Sequence, residues 1–245
     1  MVPWALTGGR FRAETLRLAL GLLAFILCLP GQASASTQSV ESHRYLRKTG
    51  SRELAFAWRL QRHDGLELVT VLGAEKDVTR MNENLATQSW WVNDALMDTA
   101  IEVLRRDNVL HFRGVFKGEK IDRVEKIDNA PWYQALSISL RNFTDTKSDQ
   151  LVFWSIRPDT LDLHRLQVSK EAEEELVVNG VSCEAVRLKI QLTGFKSAFW
   201  SCKYWLRKSD GVFLRYEGPS GPPGWPVTTV ELVPPLKVMT SKKQP

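Results

Sequence analysis

The sequence is short of cysteine, histidine, clustered charge and helical periodicity, and each shortage closes off a class of function. Only three cysteines occur in 245 residues, and Cys28 lies inside an N-terminal apolar run, which leaves Cys183 and Cys202. A chain of this size buries roughly 70% of its extended surface on folding, so its stability requires neither a disulfide nor a metal. Four histidines, His43, His63, His111 and His164, stand far apart, none paired at ligand spacing. Gly-x-Ser-x-Gly elbows, phosphate-binding loops, His-Glu-x-x-His pairs and dinucleotide fingerprints are all missing, so no motif announces catalysis or a cofactor. Lys and Arg are interspersed with Asp and Glu at a net charge of only +5, which argues against a nucleic-acid footprint. No repeat of solenoid length occurs, and composition does not shift along the chain, so one domain over 36–234 is the simplest expectation.

Long hydrophobic runs are also scarce. The one example, Leu18 to Leu29, is shorter than the ~20 residues a bilayer span needs. It follows Arg10, Arg12 and Arg17 and precedes Pro30 and the small-residue site Ala33-Ser34-Ala35. This is the layout of a cleaved secretory signal covering residues 1–35, a retained anchor being the alternative. Its removal takes three Arg and one Glu and lowers the formal charge from +5 to +3. Cys28 follows the bulky Leu27, which does not suit lipid attachment. The expected location is the periplasm, with no stable membrane span after cleavage. Residues 235–245 read as a flexible tail.

What the sequence has in abundance is strand pattern. Asn179 to Gly218 reads as three antiparallel strands, with turns at Asn179-Gly180, Thr193-Gly194 and Asp210-Gly211. Val186, Leu188, Ile190 and Leu192 fall on one face; Trp200, Cys202, Tyr204 and Leu206 repeat the pattern. Leu54 to Leu60, Leu110 to Phe116 and Leu151 to Ile156 supply matching walls, and Thr99 to Arg105 reads as a strand more readily than as part of a Val92 to Arg106 helix. Cys183 has the opposite parity from Cys202. An oxidising compartment makes a disulfide plausible only if a bulge near Ala185-Val186 reverses the phase; otherwise the two are separate thiols.

One stretch breaks the period of two. Asp128-Asn129-Ala130-Pro131 offers a cap and a first-turn proline, and Trp132, Leu136 and Leu140 follow at spacing four. A helix over Pro131 to Phe143 is predicted, laid as a lid across a sheet. Tryptophan is plentiful, nine in all. A curved, incompletely closed sheet has more apolar wall than one helix covers, which makes Phe56, Trp58, Phe112, Trp154, Trp200 and Tyr204 candidate cavity walls and Trp132 and Leu136 candidate lid contacts. The alternative is a packed aromatic core. Trp90, Trp91, Trp205 and Trp225 are harder to bury and could present a surface to a protein or glycan.

The order of these elements, with DNAPWYQ from Asp128 to Gln134 and YWLRKSDG from Tyr204 to Gly211, resembles the periplasmic carrier superfamily of outer-membrane lipoprotein chaperones, the LolA/LolB-like fold. It is closer still to a family of uncharacterised bacterial exported proteins built on that half-barrel. The resemblance spans Tyr45 to Val233. It implies a mainly β fold, a single antiparallel sheet curled into an unclosed barrel with a helical lid over a cavity that receives acyl chains. The function it implies is non-enzymatic carriage of a hydrophobic or lipoprotein-like ligand, without cofactor or metal. An envelope adaptor binding a protein or glycan through tryptophan is the alternative, and a hydrolase on the same scaffold a third.

Overall fold

The computed structural model describes residues 38–62, 65–194, 197, 200–219 and 226–234, with side chains from Glu41 onward. The expected signal segment, Trp225 and the C-terminal tail lie outside the described residues. The described residues form fourteen strands: β1 Gln38–Thr49, β2 Arg52–Arg62, β3 Leu66–Leu72, β4 Glu75–Met81, β5 Thr87–Asp94, β6 Thr99–Arg106 and β7 Val109–Phe116. There follow β8 Glu119–Lys126, β9 Gln150–Ile156, β10 Leu163–Val178, β11 Val181–Leu192, β12 Ser201–Arg207, β13 Phe213–Pro219 and β14 Val227–Val233. All pair antiparallel in one sheet, ordered β8-β7-β6-β5-β4-β3-β2-β1-β14-β13-β12-β11-β10-β9. Every pairing is a hairpin between chain neighbours except β1 with β14, which stitches the two halves together. The fold is mainly β, a single curled antiparallel sheet whose two edges, β8 and β9, do not pair, as expected from the sequence.

Two buried clusters show how the sheet curls. The concave face of β1–β4 and β10–β13 encloses the first, which includes Tyr45, Trp58, Leu60, Leu68, Phe153, Leu188 and Leu206. The second joins Trp90, Val92, Ile101, Val103, Leu110 and Phe112, from the same face of β5–β7, to Trp132, Trp154 and Ile156. Strand β9 therefore has both faces covered: Phe153 points into the first cluster, while Trp154 and Ile156 point into the second. Such an arrangement requires the sheet to roll past closure like a scroll, with its β9 end tucked inside the β5–β8 end. Apolar contact seals this seam instead of an edge-to-edge ladder. At its margin Arg123 donates to the Leu161 carbonyl (2.6 Å) and Lys117 to that of Asp159 (2.6 Å).

The exposed edge of β9 would otherwise be a template for aggregation. It is covered by residues 131–133, which lie extended rather than helical. Trp154 N donates to Pro131 O and Tyr133 N to Trp154 O, both at 2.8 Å, and Thr87 N donates to Trp132 O at 2.8 Å. This pairing is the reason the predicted Pro131 to Phe143 helix is mostly not one: the backbone groups a helix would use are spent on the sheet edge. Among the described residues the one α-helix, α1, is a single turn, Leu136–Ser139, followed by a 3-10 turn, Arg141–Asp145. Asp128 accepts from Ala130 N (3.0 Å) and Trp154 Nε1 (2.8 Å), so it fixes the strap instead of capping a helix.

The cysteines do not pair. Register places Cys202 opposite Ile190 and Cys183 opposite Leu176, seven residues apart along β11 and on opposite faces. At about 3.3 Å per residue this exceeds any disulfide span. The phase shift invoked to bring them together lies not at Ala185-Val186 but in the partner strand, between Lys170 and Ala172. Both thiols are free. The acidic run Glu171 to Glu175 carries four carboxylates in five residues. It is the middle of β10, where Glu171 and Glu174 take the Arg187 guanidinium (3.0 and 2.8 Å) and Glu173 takes Lys208 (2.6 Å). Among the described residues no helix is long and apolar enough to cross a membrane.

Candidate functional site

The two ends of the barrel differ. At the end where β1 starts, α1 and the 3-10 turn plug the interior: Ile138, Leu140 and Phe143 are buried in the first cluster. Trp58 Nε1 donates to Ser137 Oγ at 3.0 Å. Arg141 forks onto Glu41 with Nη1 at 2.8 Å and Nη2 at 3.1 Å, and its Nε reaches the Gly211 carbonyl at 3.3 Å. Burial acts to raise the Glu41 carboxyl, but hydrogen bonds from His43 and Arg141 override it and hold the pKa at about 2. Gly211 is required beneath this plug, since a Cβ there would lie 2.2 Å from Arg141 Cγ. The predicted lid is thus a fixed plug at one end.

At the other end, where β2 begins and β1 finishes, the concave wall is only half covered. Five aromatic rings run along it in contact. Phe56 stacks on Tyr45 (5.4 Å), Tyr45 meets Phe213 (5.2 Å), Phe213 meets Tyr204 (5.3 Å), and Tyr204 meets Tyr216 edge-on (5.2 Å). Tyr45 and Phe213 are buried, whereas Phe56, Tyr204 and Tyr216 are half-buried, as are Val230 and Leu232 on β14. Leu54, one step nearer the rim on the same face of β2, is 46% exposed. Burial pushes the Tyr204 and Tyr216 phenols well up, so both stay neutral hydroxyls. Tyr45 spends its hydroxyl on Phe213 O (3.1 Å). Among the described residues nothing hydrogen-bonds the hydroxyls of Tyr204 and Tyr216, which leaves two polar handles in an apolar wall. Gly218 makes room for this arrangement, because a Cβ there would lie 2.5 Å from Tyr216 Oη and 2.6 Å from Cys202 Cβ.

The rim adds charge. Arg47, two residues beyond Tyr45 and therefore on the same face, acts electrostatically on Glu75, whose carboxyl is raised chiefly by burial and then by Asp94. Asp77 lies deeper. Burial raises its carboxyl to about 7, opposed by hydrogen bonds from Trp90 Nε1 (2.6 Å) and Thr79 Oγ1 (3.3 Å), with Glu75 adding repulsion. A carboxyl raised in the folded state above its usual ~3.9 binds protons more tightly there than in the unfolded chain. Its contribution is therefore complete at low pH and is lost as pH rises toward 7. Glu41 works the other way, losing its contribution as pH falls toward about 2. The expected result is a urea midpoint that declines from about pH 5 to pH 8, with Asp77→Asn flattening that decline. An unchanged slope in the variant would place the ionisation elsewhere.

The residues expected from sequence divide into three groups. Phe56, Tyr204 and Trp200 are half-buried on the open wall, Trp200 packed at its edge with Leu192. Trp58 lies under α1 and is 2% exposed, while Leu136 is half-buried on α1 itself. Phe112, Trp132 and Trp154 are in the seam, away from the open wall. Tyr45, Phe213 and Tyr216 were not singled out. Phe213 and Tyr216 have opposite parity, and both reach the wall because the β12–β13 register shifts between Trp205 and Leu206. Of the tryptophans expected at the surface, Trp90 and Trp205 are buried, Trp205 with its indole donating to Glu174 (2.5 Å). Trp91 is half-exposed beneath Lys76, 5.9 Å from the ring.

No known family and no curated protein matches this sequence. Among solved structures, a beta-barrel-like protein of domain of unknown function DUF1849 from Brucella abortus superposes with a TM-score of 0.53 at 7% identity, over 78% of this chain and 94% of that one. The likeness is one of fold. Two further structures align over similar lengths. A hypothetical lipoprotein, YmcC, from Escherichia coli has a TM-score of 0.35 at 10% identity, covering 79% of this chain and 84% of its own. A proposed outer membrane lipoprotein-sorting protein domain from Vibrio parahaemolyticus has 0.29 at 11% identity, covering 79% and 82%. Scores this low add nothing to the argument from the first.

Proposed function

We propose that this chain is an exported, non-enzymatic carrier that holds an acyl chain, free or as part of a lipoprotein, at the open end of its curled sheet. Residues 1–35 serve in this reading as a cleaved signal that delivers it to the periplasm. The observation that carries the reading is the half-buried aromatic wall from Phe56 to Tyr216, left uncovered beside a rim bearing Arg47 and Glu75. An apolar wall with a few placed polar groups is the usual construction of a lipid or small-molecule site. The phenol hydroxyls and Arg47 suit the carbonyl and head group of such a ligand, and the wall suits its tail. The plug closes the other end, so a chain would enter and leave by one mouth.

The test is mass spectrometry of organic extracts from protein purified out of its native host. The wild type is expected to carry stoichiometric lipid. Phe56→Arg, at a half-exposed position where a charge can reach water, should fold normally and lose most of it. Empty wild-type protein, or equal loading of the variant, would count against the proposal. Of the four tryptophans on which an envelope-adaptor reading rests, Trp90 and Trp205 are buried, Trp91 is half-exposed and Trp225 lies outside the described residues.

A further inference from the structure

The plugged end of the barrel carries a groove of quite different chemistry. It lies between the β4–β5 connection, the β6–β7 turn and the strap leading to α1, with a volume of about 540 Å³. That falls within the ~300–1,000 Å³ of ordinary small-molecule sites. Its walls are amides: Asn82, Asn84, Gln88 and Asn129, with Arg105 and Asp107 contributing one charge of each sign. Ala86, Pro131 and Tyr133 complete the lining; Ala86 and Tyr133 are buried, the Tyr133 ring lying against Phe153 at 5.3 Å.

The hydrogen-bonding capacity of these side chains is only partly spent on the protein. Asn82 Oδ1 accepts from Asn84 N and Ala86 N, both at 3.0 Å, so its amino group remains. Gln88 Nε2 donates to Ala86 O (3.4 Å) and Thr87 O (3.3 Å), so its carbonyl remains. Asn129 Oδ1 accepts from Asn108 (2.9 Å), leaving another amino group. Arg105 is largely committed, to Asp107 O (2.9 Å) and Ala130 O (3.2 Å). Among the described residues the side-chain amide of Asn84 and the Asp107 carboxylate have no hydrogen-bond partner. The groove thus presents two amino donors, an amide carbonyl, a complete amide and a carboxylate, with a mostly polar lining and no net charge.

The frame is rigid. Leu85 is buried in a left-handed conformation (φ +62) that a branched side chain rarely adopts, and Asn82 N–Ala86 O and Leu85 N–Asn82 O bonds of 3.0 Å lock the turn. Backbone strain held this way positions groups in advance of a ligand. A carboxylate or phosphate ligand would meet Asp107 and find the one guanidinium already occupied. An acyl chain would find no apolar wall. A ligand whose neighbouring hydroxyls each donate and accept, and whose C–H face rests on the half-buried Pro131, satisfies both the polar walls and the small apolar part of the lining.

We propose that this groove binds a neutral oligosaccharide, at a site separate from the acyl-binding mouth. The test uses chitotriose, maltotriose and cellotriose as probes, titrated into the folded protein by calorimetry and followed by amide chemical shifts. At least one should bind saturably with a Kd of millimolar or tighter, moving the signals of Asn82, Asn84, Gln88 and Asn129. Asn84→Ala and Gln88→Ala alter exposed side chains and should keep the wild-type melting temperature. Each should weaken binding about five- to tenfold, the loss of one or two ligand hydrogen bonds. Absence of binding by all three sugars at about 10 mM, shifts centred elsewhere, or unaltered affinity in both variants would overturn the proposal.

Discussion

Trp132→Ala is expected to lower the unfolding free energy by about 3–5 kcal/mol, the range for removing a fully buried large aromatic. That is a large fraction of the ~5–15 kcal/mol by which domains are stable. The side chain is 0% exposed and sits where β9 is tucked beneath β5–β7, against Phe112, Trp154 and Ile156. Its backbone carbonyl accepts from Thr87, and the flanking Pro131 and Tyr133 pair with Trp154, so the same residue anchors the strap that covers the β9 edge. Cavity formation and edge release therefore act together. Urea denaturation measures the loss, and hydrogen exchange should show Tyr133 and Trp154 amides losing protection ahead of β1 and β2. A loss under about 1 kcal/mol, with no change in exchange at β9, would mean that the seam does not hold the scroll together.

Gly114→Ala should be comparably damaging, by about 3 kcal/mol or more, through the backbone rather than the core. Gly114 has φ +139, and a Cβ on it would lie 2.1 Å from the Ala100 carbonyl oxygen and 3.0 Å from Ile101 Cα. Both neighbours are main chain of the adjacent strand β6, so no side-chain rotation relieves the clash. The register must slip or β7 must move away, and β7 carries Leu110 and Phe112 into the seam. Gly50→Ala is the matched control. Its φ of +56 is also left-handed, but nothing lies within 4 Å of a Cβ there, so only the conformational cost of about 1 kcal/mol applies. Equal denaturation midpoints for the two variants would contradict the close approach of β6 and β7.

The hairpin architecture was legible because each strand pairs with its chain neighbour and turn residues mark the corners; Asn179 and Gly180 take φ values of +55 and +79, as such a turn demands. What alternation cannot show is how far a sheet curls. Phe112 and Trp154 satisfy every criterion for a cavity wall and Trp132 for a lid contact, yet overlap of the two sheet ends places all three in a sealed seam. The segment expected to be helical departs from its local pattern for a related reason. Spacing of four from Trp132 to Leu140 fits a helix locally, but unpaired groups on the β9 edge and at Thr87 claim the backbone of 131–133 first. The aromatic wall was half visible. Phe56 and Tyr204 fall on predicted faces, whereas Tyr216 depends on a register shift at Trp205 that no turn residue announces. Asp77 and Arg47 left no mark, since a single charge in a strand ordinarily faces water.

The most direct measurement of the central claim is paramagnetic broadening of the protein's NMR signals by a spin-labelled fatty acid. The account predicts saturable broadening of Phe56, Tyr204, Tyr216 and Val230, with Phe112, Trp132 and Trp154 in the seam untouched. Broadening centred on the seam, or none at saturating probe, would contradict it.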